Sequence, residues 1–291
     1  MQSAWSLDDS LAYTRWLATH HYENFHVVSA LLPKRLHQDF YNVYAFCRWA
    51  DDLGDEIEDT QESLRLLAWW RTQLNAAYHG GEVSHPVFVA LRETAARHDL
   101  PITPFDNLIT AFIHDQNVTR YRDWDQVEAY CVNSANPVGR LVLMLCGYRD
   151  EARFGLSDAT CTALQLANFW QDVTVDQLKD RVYLPLHLFE HYGYSVEELF
   201  AHKFTPAFGA VMKDAVDHAQ QLFQAGLPLV RTLDRRLALD IDLFNRGGMR
   251  VLEKIRAQGY DVLSHRPAIS KTERVTLLLG SMLRVAFMKA A

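Results

Sequence analysis

The chain has 291 residues, of which 49% are hydrophobic and 22% charged, and its formal net charge is −7. This composition indicates a folded globular protein that is long enough to bury a sizeable core. The acidic balance argues against a nucleic-acid-binding protein, which needs a basic face, and no segment is apolar over the length of a membrane span.

Long helical patterns, separated by glycine and proline, run through the chain, and no alternating strand pattern interrupts them. The predicted helices cover residues 6–20, 34–52, 60–78, two segments of 87–117 broken at Pro101 and Pro104, 130–146, 158–176, 206–227, 231–258 and 271–289. Ser6 is the expected N-cap of the first helix. The pattern predicts one all-α domain over residues 1–291.

Polar side chains share one face of the predicted helix 158–176. Gln165, Asn168, Asp172 and Asp176 recur at spacings of three, four and four, and the residues between them are mostly apolar. A helix that is hydrophobic all round is usually buried, and two buried carboxylates one turn apart repel each other. The pattern therefore predicts a metal ion or a basic cluster beside this face.

A second acidic cluster ends the predicted helix 34–52. Arg48 lies one turn before Asp51 and Asp52, and Asp51 is four residues from Asp55. Acidic residues at a helix C-terminus oppose the helix dipole, and the turns before them are apolar and aromatic. For Asp51, Asp52 and Asp55 these observations slightly favour a functional site over an acidic helix end that is simply solvated.

Two clusters with carboxylates one turn apart suit Mg²⁺, which takes one or two carboxylates and leaves its other positions to water and substrate phosphate. Such a site ionises a diphosphate, with basic residues binding the leaving group. Arg48, Lys179 and Arg181 are the basic candidates, although Lys179 and Arg181 alone would indicate a solvated turn. A non-enzymatic helical binding protein is the alternative, and it leaves the cost of acidic groups in apolar helices unexplained.

Four stretches together resemble a known family. Residues 44–55, 130–139, 165–176 and 181–185 resemble, in order and spacing, the signature stretches of the head-to-head prenyl diphosphate synthases, the squalene and phytoene synthase family. The resemblance implies an isoprenoid-synthase bundle with a central substrate cavity, a prenyl diphosphate substrate and Mg²⁺ as cofactor.

The resemblance also implies roles for matching residues. Those implied to hold metal and diphosphate are Asp51, Asp55, Asn168, Asp172 and Asp176. Those implied to bind the departing diphosphate or line the reaction centre are Tyr44, Arg48, Tyr130, Gln165, Lys179, Arg181 and Tyr183. Asn136 is a candidate for positioning water, and His26 stands where the family often has serines.

Residues 24–27, 31–33, 134–140 and 164–172 resemble more narrowly the bacterial hydroxysqualene synthases of squalene and hopanoid biosynthesis. Phytoene and squalene synthases usually have arginine immediately before the aspartate that matches Asp172, whereas this chain has Gln171. The resemblance implies a lyase that converts presqualene diphosphate and water to hydroxysqualene and diphosphate without NADPH. The alternatives are a condensing enzyme that makes presqualene diphosphate or phytoene, and a chain-elongating prenyl synthase. Against the chain-elongating synthase, the second cluster of this chain, Asn168, Asp172 and Asp176, does not fit the second aspartate motif of those enzymes.

The sequence also indicates where the protein acts. The N-terminus lacks a basic, apolar leader, and the four cysteines form no close pair, so we expect a cytoplasmic protein with reduced thiols. A long apolar substrate would favour transient association with the inner face of the membrane. The predicted helix 271–289 could contribute an apolar face, although packing of that face against the bundle is the favoured alternative.

Overall fold

The computed structural model describes residues 5–20 and 32–287. His26 lies outside the described residues. Within them the regular structure is helical, apart from an isolated parallel bridge between Arg120 and Val182. The all-α prediction is confirmed. No helix in the described ranges is long and apolar enough to cross a membrane.

The α-helices follow one another with short connections. In chain order they are α1 (Leu7–His20), α2 (His37–Asp55), α3 (Thr60–Tyr78), α4 (Pro86–His98), α5 (Thr103–Asp115), α6 (Trp124–Ser134), α7 (Asn136–Leu145), α8 (Glu151–Gln171), α9 (Val173–Asp176), α10 (Leu186–Tyr192), α11 (Val196–Phe200), α12 (Pro206–Gly226), α13 (Arg235–Ala257) and α14 (Lys271–Phe287). Short 3₁₀ turns occur at Lys34–Leu36, Gln177–Lys179 and Leu227–Thr232.

Local sequence signals explain several helix ends. The Ser6 hydroxyl accepts the Asp9 N–H at 3.1 Å, as its predicted role as N-cap requires. The Asp59 carboxylate accepts the Glu62 N–H at 2.9 Å at the start of α3. Two predicted helices are each divided: 130–146 breaks at Ala135, between α6 and α7, and 158–176 breaks at Asp172, between α8 and α9. Pro137 explains the first break, because proline is tolerated in the first turn of a helix but not in its interior.

The chain divides into two compact units, and the first comprises the described residues up to Asn117 with residues 137–154. Its central helix is α2, which packs against α1, α3, α4 and α5. The Phe46 ring lies 5.0 Å from that of Phe105, 5.8 Å from Trp70 and 6.0 Å from Phe88, and all four side chains are buried. The helix with the first acidic cluster is therefore anchored in an aromatic core.

The second unit comprises residues 118–136 and the described residues from Gly155 onwards. Here α12 packs against α13, and α13 against α14. A Cβ at Gly248 would lie 2.3 Å from the Phe223 ring and 2.9 Å from Leu164, so α13 approaches both α12 and α8 closely because residue 248 is glycine. This packing anchors α8, which carries part of the second acidic cluster. The prediction of one domain over residues 1–291 is untested by this division and stays a prediction.

Candidate active site

The first acidic cluster lies on the last turns of α2. The Arg48 guanidinium forms salt bridges with Asp52 and with Asp51, the latter at 3.2 Å. The side chains of Arg48, Asp51 and Asp52 are 32%, 41% and 31% exposed, so the cluster is open to a ligand. Burial, together with the carboxylates of Asp52 and Asp51, raises the pKa of Tyr44 against the opposing effect of Arg48. Tyr44 therefore stays protonated and able to donate a hydrogen bond.

The end of α2 is supported by neighbouring helices. α2 continues past the predicted end at residue 52 to Asp55, so Asp51 and Asp55 share a helix face as their spacing predicted. The Gly54 carbonyl accepts the Gln116 amide at 2.6 Å, and the Leu53 carbonyl accepts the Ser63 hydroxyl at 2.7 Å. These bonds satisfy carbonyls that a helix C-terminus otherwise leaves unpaired.

The second acidic cluster lies across the break between α8 and α9. The Asp172 N–H donates to the Asn168 carbonyl and the Asp176 N–H donates to the Asp172 carbonyl, each at 2.9 Å, so the four-residue spacing survives the break. Gln165, Asp172 and Asp176 are half-buried and Asn168 is exposed. The face is therefore less buried than the apolar pattern predicted.

The basic partner of this cluster is Arg266, from the connection between α13 and α14. Its guanidinium Nε donates to Asp172 Oδ1 in a salt bridge. One position earlier, the Gln171 amide donates to the Pro267 carbonyl at 2.5 Å. Two consecutive residues of the site helix thus bind two consecutive residues of a distant segment.

Residues 119–122 run alongside residues 182–187. The Val182 N–H donates to the Thr119 carbonyl at 2.9 Å, and the Leu186 N–H donates to the Tyr121 carbonyl at 2.9 Å. Arg120 forms a salt bridge of 2.6 Å with Asp180, which occupies the left-handed region at φ 54°. The backbone hydrogen bonds and the salt bridge together hold the turn that carries Lys179 and Arg181.

Four aromatic rings meet beside that turn. Tyr183 stacks on Phe169 at 3.6 Å between centroids and an interplanar angle of 5°, and it lies 5.5 Å from Tyr121 and 5.8 Å from Tyr130. All four rings are buried. Tyr130 and Tyr183 thus lie in one cluster, and their predicted place at the reaction centre stays a prediction. For Tyr121 the sequence favoured a surface loop, whereas its ring is buried in this cluster.

A small pocket lies at this cluster. It is lined by Phe169, Val173, Asp176, Arg181, Val182, Tyr183, Leu184 and Leu199. The Arg181 N–H donates to the Asp176 carbonyl at 3.0 Å, which closes the turn between them. A carboxylate, a guanidinium and an aromatic face thus border one pocket.

The sequence profile of the squalene/phytoene synthase family matches residues 18–273. The chain belongs to this family. It is 33% identical to a hydroxysqualene synthase from Rhodopseudomonas palustris over 91% of this chain and 89% of the relative. It is also 31% identical to a phytoene synthase from Thermus thermophilus over 92% of this chain and 90% of the relative.

Solved structures agree with the family assignment. A squalene synthase from Alicyclobacillus acidocaldarius superposes with a TM-score of 0.83 at 41% identity, covering 87% of this chain and 95% of that chain. A dehydrosqualene synthase superposes with a TM-score of 0.86 at 23% identity, covering 96% of this chain and 98% of that chain, and shows the fold alone. The fold is thus the all-α isoprenoid synthase fold, and the protein is an isoprenoid-synthesising enzyme that acts on prenyl diphosphates.

Some predicted site residues of this squalene/phytoene synthase family member lie apart from the aromatic cluster. Lys179 is exposed, in the 3₁₀ turn after α9. Asn136 is 7% exposed, and its Oδ1 accepts the Thr162 hydroxyl at 2.9 Å, so that oxygen supports packing of α7. Arg266 was missed because an arginine in an irregular connection gives no periodic signal.

The donor chemistry of both acidic clusters fits Mg²⁺. Each presents partly accessible carboxylates, the hard oxygen ligands that this ion prefers. Within the described ranges no three His, Cys, Asp or Glu side chains form a ready-made metal cage. In the first cluster Asp51 and Asp55 would hold Mg²⁺, and in the second cluster Asn168, Asp172 and Asp176 would hold it.

Proposed function

We propose that this enzyme is a hydroxysqualene synthase, which converts presqualene diphosphate and water to hydroxysqualene and diphosphate. The observation that carries the proposal is the neutral Gln171 beside Asp172, with its amide bound to the Pro267 carbonyl. An arginine here would add a second fixed cation for a second diphosphate. A reaction that ionises only one diphosphate needs fewer fixed cations. Relatives named hydroxysqualene synthase at 33% and 32% identity support the choice.

The first step breaks the bond between the cyclopropylcarbinyl carbon and the diphosphate oxygen, which leaves with the electron pair. Arg48, Arg181 and Arg266 are the guanidinium groups near the carboxylates, and we assign them, with Lys179, to binding the departing oxygens. When bound by the aspartates, Mg²⁺ would supply charge neutralisation of the diphosphate.

The second step rearranges the carbocation and adds water. Stacked aromatic rings stabilise a cation through their faces and, unlike a strong base, do not remove its proton. The rings of Tyr130, Phe169 and Tyr183 are suited to this role. Water forms the new carbon–oxygen bond and releases its proton to solvent. No reductant enters the balance, so NADPH is not required.

The competing proposal is a condensing enzyme that makes presqualene diphosphate or phytoene from two prenyl diphosphates. The 31% identity to a phytoene synthase favours it.

Purified protein with magnesium should convert presqualene diphosphate to hydroxysqualene without NADPH. If it instead consumes farnesyl or geranylgeranyl diphosphate and releases a condensed product, the competing proposal holds. Chelation with EDTA should stop either reaction, and added Mg²⁺ should restore it.

We also propose that the enzyme meets its apolar substrate at an anionic membrane surface in the cytoplasm. The outer face of α14 carries Val275, Leu279, Met282, Leu283 and Phe287, which are 49% to 84% exposed. The helix has three basic residues and one acidic residue, in a chain of net charge −7. The acidic residue, Glu273, is bound by Arg250 and Lys254. Arg284 is bound by Asp242, so the basic residues of this argument are Lys271 and Arg274. An apolar stripe with basic neighbours suits anionic lipid headgroups.

A further inference from the structure

The connection between α13 and α14 is held at both ends. At its start the Gln258 amide donates to the Asp261 carbonyl at 2.8 Å and to the His265 carbonyl at 3.0 Å. At its end the Ser270 N–H donates to the Glu273 carboxylate at 2.8 Å. These bonds do not include Arg266 and Pro267, in the middle of the segment, whose contacts come from another part of the unit.

Gln171 and Asp172 provide those contacts. The Gln171 amide donates to the Pro267 carbonyl at 2.5 Å, and Asp172 accepts the Arg266 guanidinium. Proline fixes its own φ and restricts the backbone of the residue before it. A hydrogen bond to the Pro267 carbonyl therefore also fixes the backbone of Arg266.

The two contacts differ in what a diphosphate can do to them. The salt bridge of Arg266 is open to exchange, because phosphate oxygens and a carboxylate compete for the same guanidinium. The amide-to-carbonyl bond of Gln171 involves no charge, so an arriving diphosphate does not compete for it. The segment can stay in place while the arginine changes partner.

We propose that Gln171 is a positioning residue, whose neutral hydrogen bond to the segment 259–270 holds Arg266 at Asp172 so that its guanidinium can pass to the diphosphate. The inference rests on the proposed function, since it assigns the diphosphate as the ligand of Arg266. In the proposed function Gln171 matters because it is neutral; here its hydrogen bond to the Pro267 carbonyl also matters. The family's usual arginine would supply a cation directly, whereas this glutamine places a cation from a distant segment.

The test compares Gln171→Ala with wild type in two measurements that need no turnover. Hydrogen exchange of residues 259–270 should rise in the variant. Binding of magnesium with inorganic pyrophosphate should weaken about tenfold, which corresponds to loss of about one hydrogen bond to a charged group. KM for the prenyl diphosphate should rise more than kcat falls. Gln220→Ala removes a glutamine elsewhere in the unit that accepts a hydrogen bond from Arg256, and it is the matched control.

A double-mutant cycle separates positioning from a general structural role. If Gln171 acts through Arg266, then Gln171→Ala combined with Arg266→Gln binds pyrophosphate no more weakly than Arg266→Gln alone. Gln171→Arg, which keeps N–H donors, should restore slow exchange. Additive losses, unchanged exchange in Gln171→Ala, or no restoration by arginine would each overturn the proposal. If the wild type does not bind magnesium pyrophosphate, the proposed function fails, and the exchange comparison still decides whether Gln171 holds the segment.

Discussion

Arg266 forms a salt bridge with Asp172 although 94 positions separate them in the chain. The side chains are 49% and 26% exposed, so solvent screens the pair and its contribution to the free energy of unfolding is small. The salt bridge instead matters for position, because it places the Arg266 guanidinium beside a carboxylate that the family resemblance implies to bind metal.

The first prediction concerns that carboxylate. Asp172→Asn should leave the thermal midpoint nearly unchanged, because the group is half-buried and its partner is accessible to water. Diphosphate release should fall by at least about 10²-fold, the typical cost of removing one group that stabilises transition-state charge. A coupled pyrophosphate assay measures it. Asp214→Asn, on α12, is the control. Turnover equal to wild type would remove Asp172 from the site.

The second prediction concerns Arg120, which pairs with Asp180 at 2.6 Å. The pair is partly exposed, so Arg120→Gln should lower the free energy of unfolding by no more than about 1 kcal/mol. The turn with Lys179 and Arg181 would lose its anchor, and a small displacement of binding groups lowers rates steeply. We expect kcat/KM to fall roughly tenfold or more.

The control for Arg120 is Arg122→Gln, which removes the neighbouring pair with Asp123 at 2.7 Å. Urea denaturation and steady-state kinetics on both variants give the comparison. Equal kinetic losses in the two variants would contradict a specific role of Arg120.

The helices could be predicted from sequence where periodicity and caps agree. The predicted helix 60–78 matches α3 at both ends, and the N-cap at Ser6 was correct. α10 and α11, with seven and five residues, are too short for a periodic pattern and were missed. The break at Asp172 was missed because the apolar pattern continues through it.

Part of the candidate site could also be predicted from sequence, and part could not. Asp51 and Asp55 could be placed on one face because helix geometry relates residues four apart. The Arg266 salt bridge and the alignment of residues 119–122 with 182–187 depend on tertiary packing. No local spacing encodes them, so only the folded chain reveals these partners.

The third prediction concerns the apolar face of α14. Wild-type protein should co-float with vesicles of phosphatidylcholine and phosphatidylglycerol, and less with phosphatidylcholine alone. Leu279→Gln with Leu283→Gln should weaken binding at least tenfold, because both side chains are more than half exposed and would enter the interface. Phe204→Gln, an exposed aromatic residue elsewhere in the unit, is the control.

The charge contribution of α14 needs its own pair of variants. Lys271→Gln with Arg274→Gln should weaken binding about tenfold or more, at roughly 1 kcal/mol per residue. Arg235→Gln with Arg236→Gln removes two exposed arginines from the start of α13 and should have little effect. If the leucine variants instead change the oligomeric state in lipid-free sedimentation and leave vesicle binding intact, the face binds a second copy.

The last prediction concerns Asp240, a buried carboxyl group on α13. Both of its oxygens lack a hydrogen-bond partner among the described residues, and burial, with the nearby charge of Asp234, raises its pKa to about 8. The unfolded chain releases this proton near pH 4, so between about pH 4 and 8 the native state binds more protons. The free energy of unfolding should therefore decrease as pH rises, by at most about 1.4 kcal/mol per unit from this group.

Asp240→Asn removes this titration, so the variant should gain stability relative to wild type as pH rises from 5 to 8. Urea denaturation at each pH unit measures the difference. For Asp217, burial is outweighed by hydrogen bonds from Lys213 and Arg256, which lower its pKa. Its carboxylate is ionised in both states above about pH 5, so Asp217→Asn should give a constant difference over this range. Parallel curves for wild type and Asp240→Asn would show that Asp240 ionises normally in the native protein.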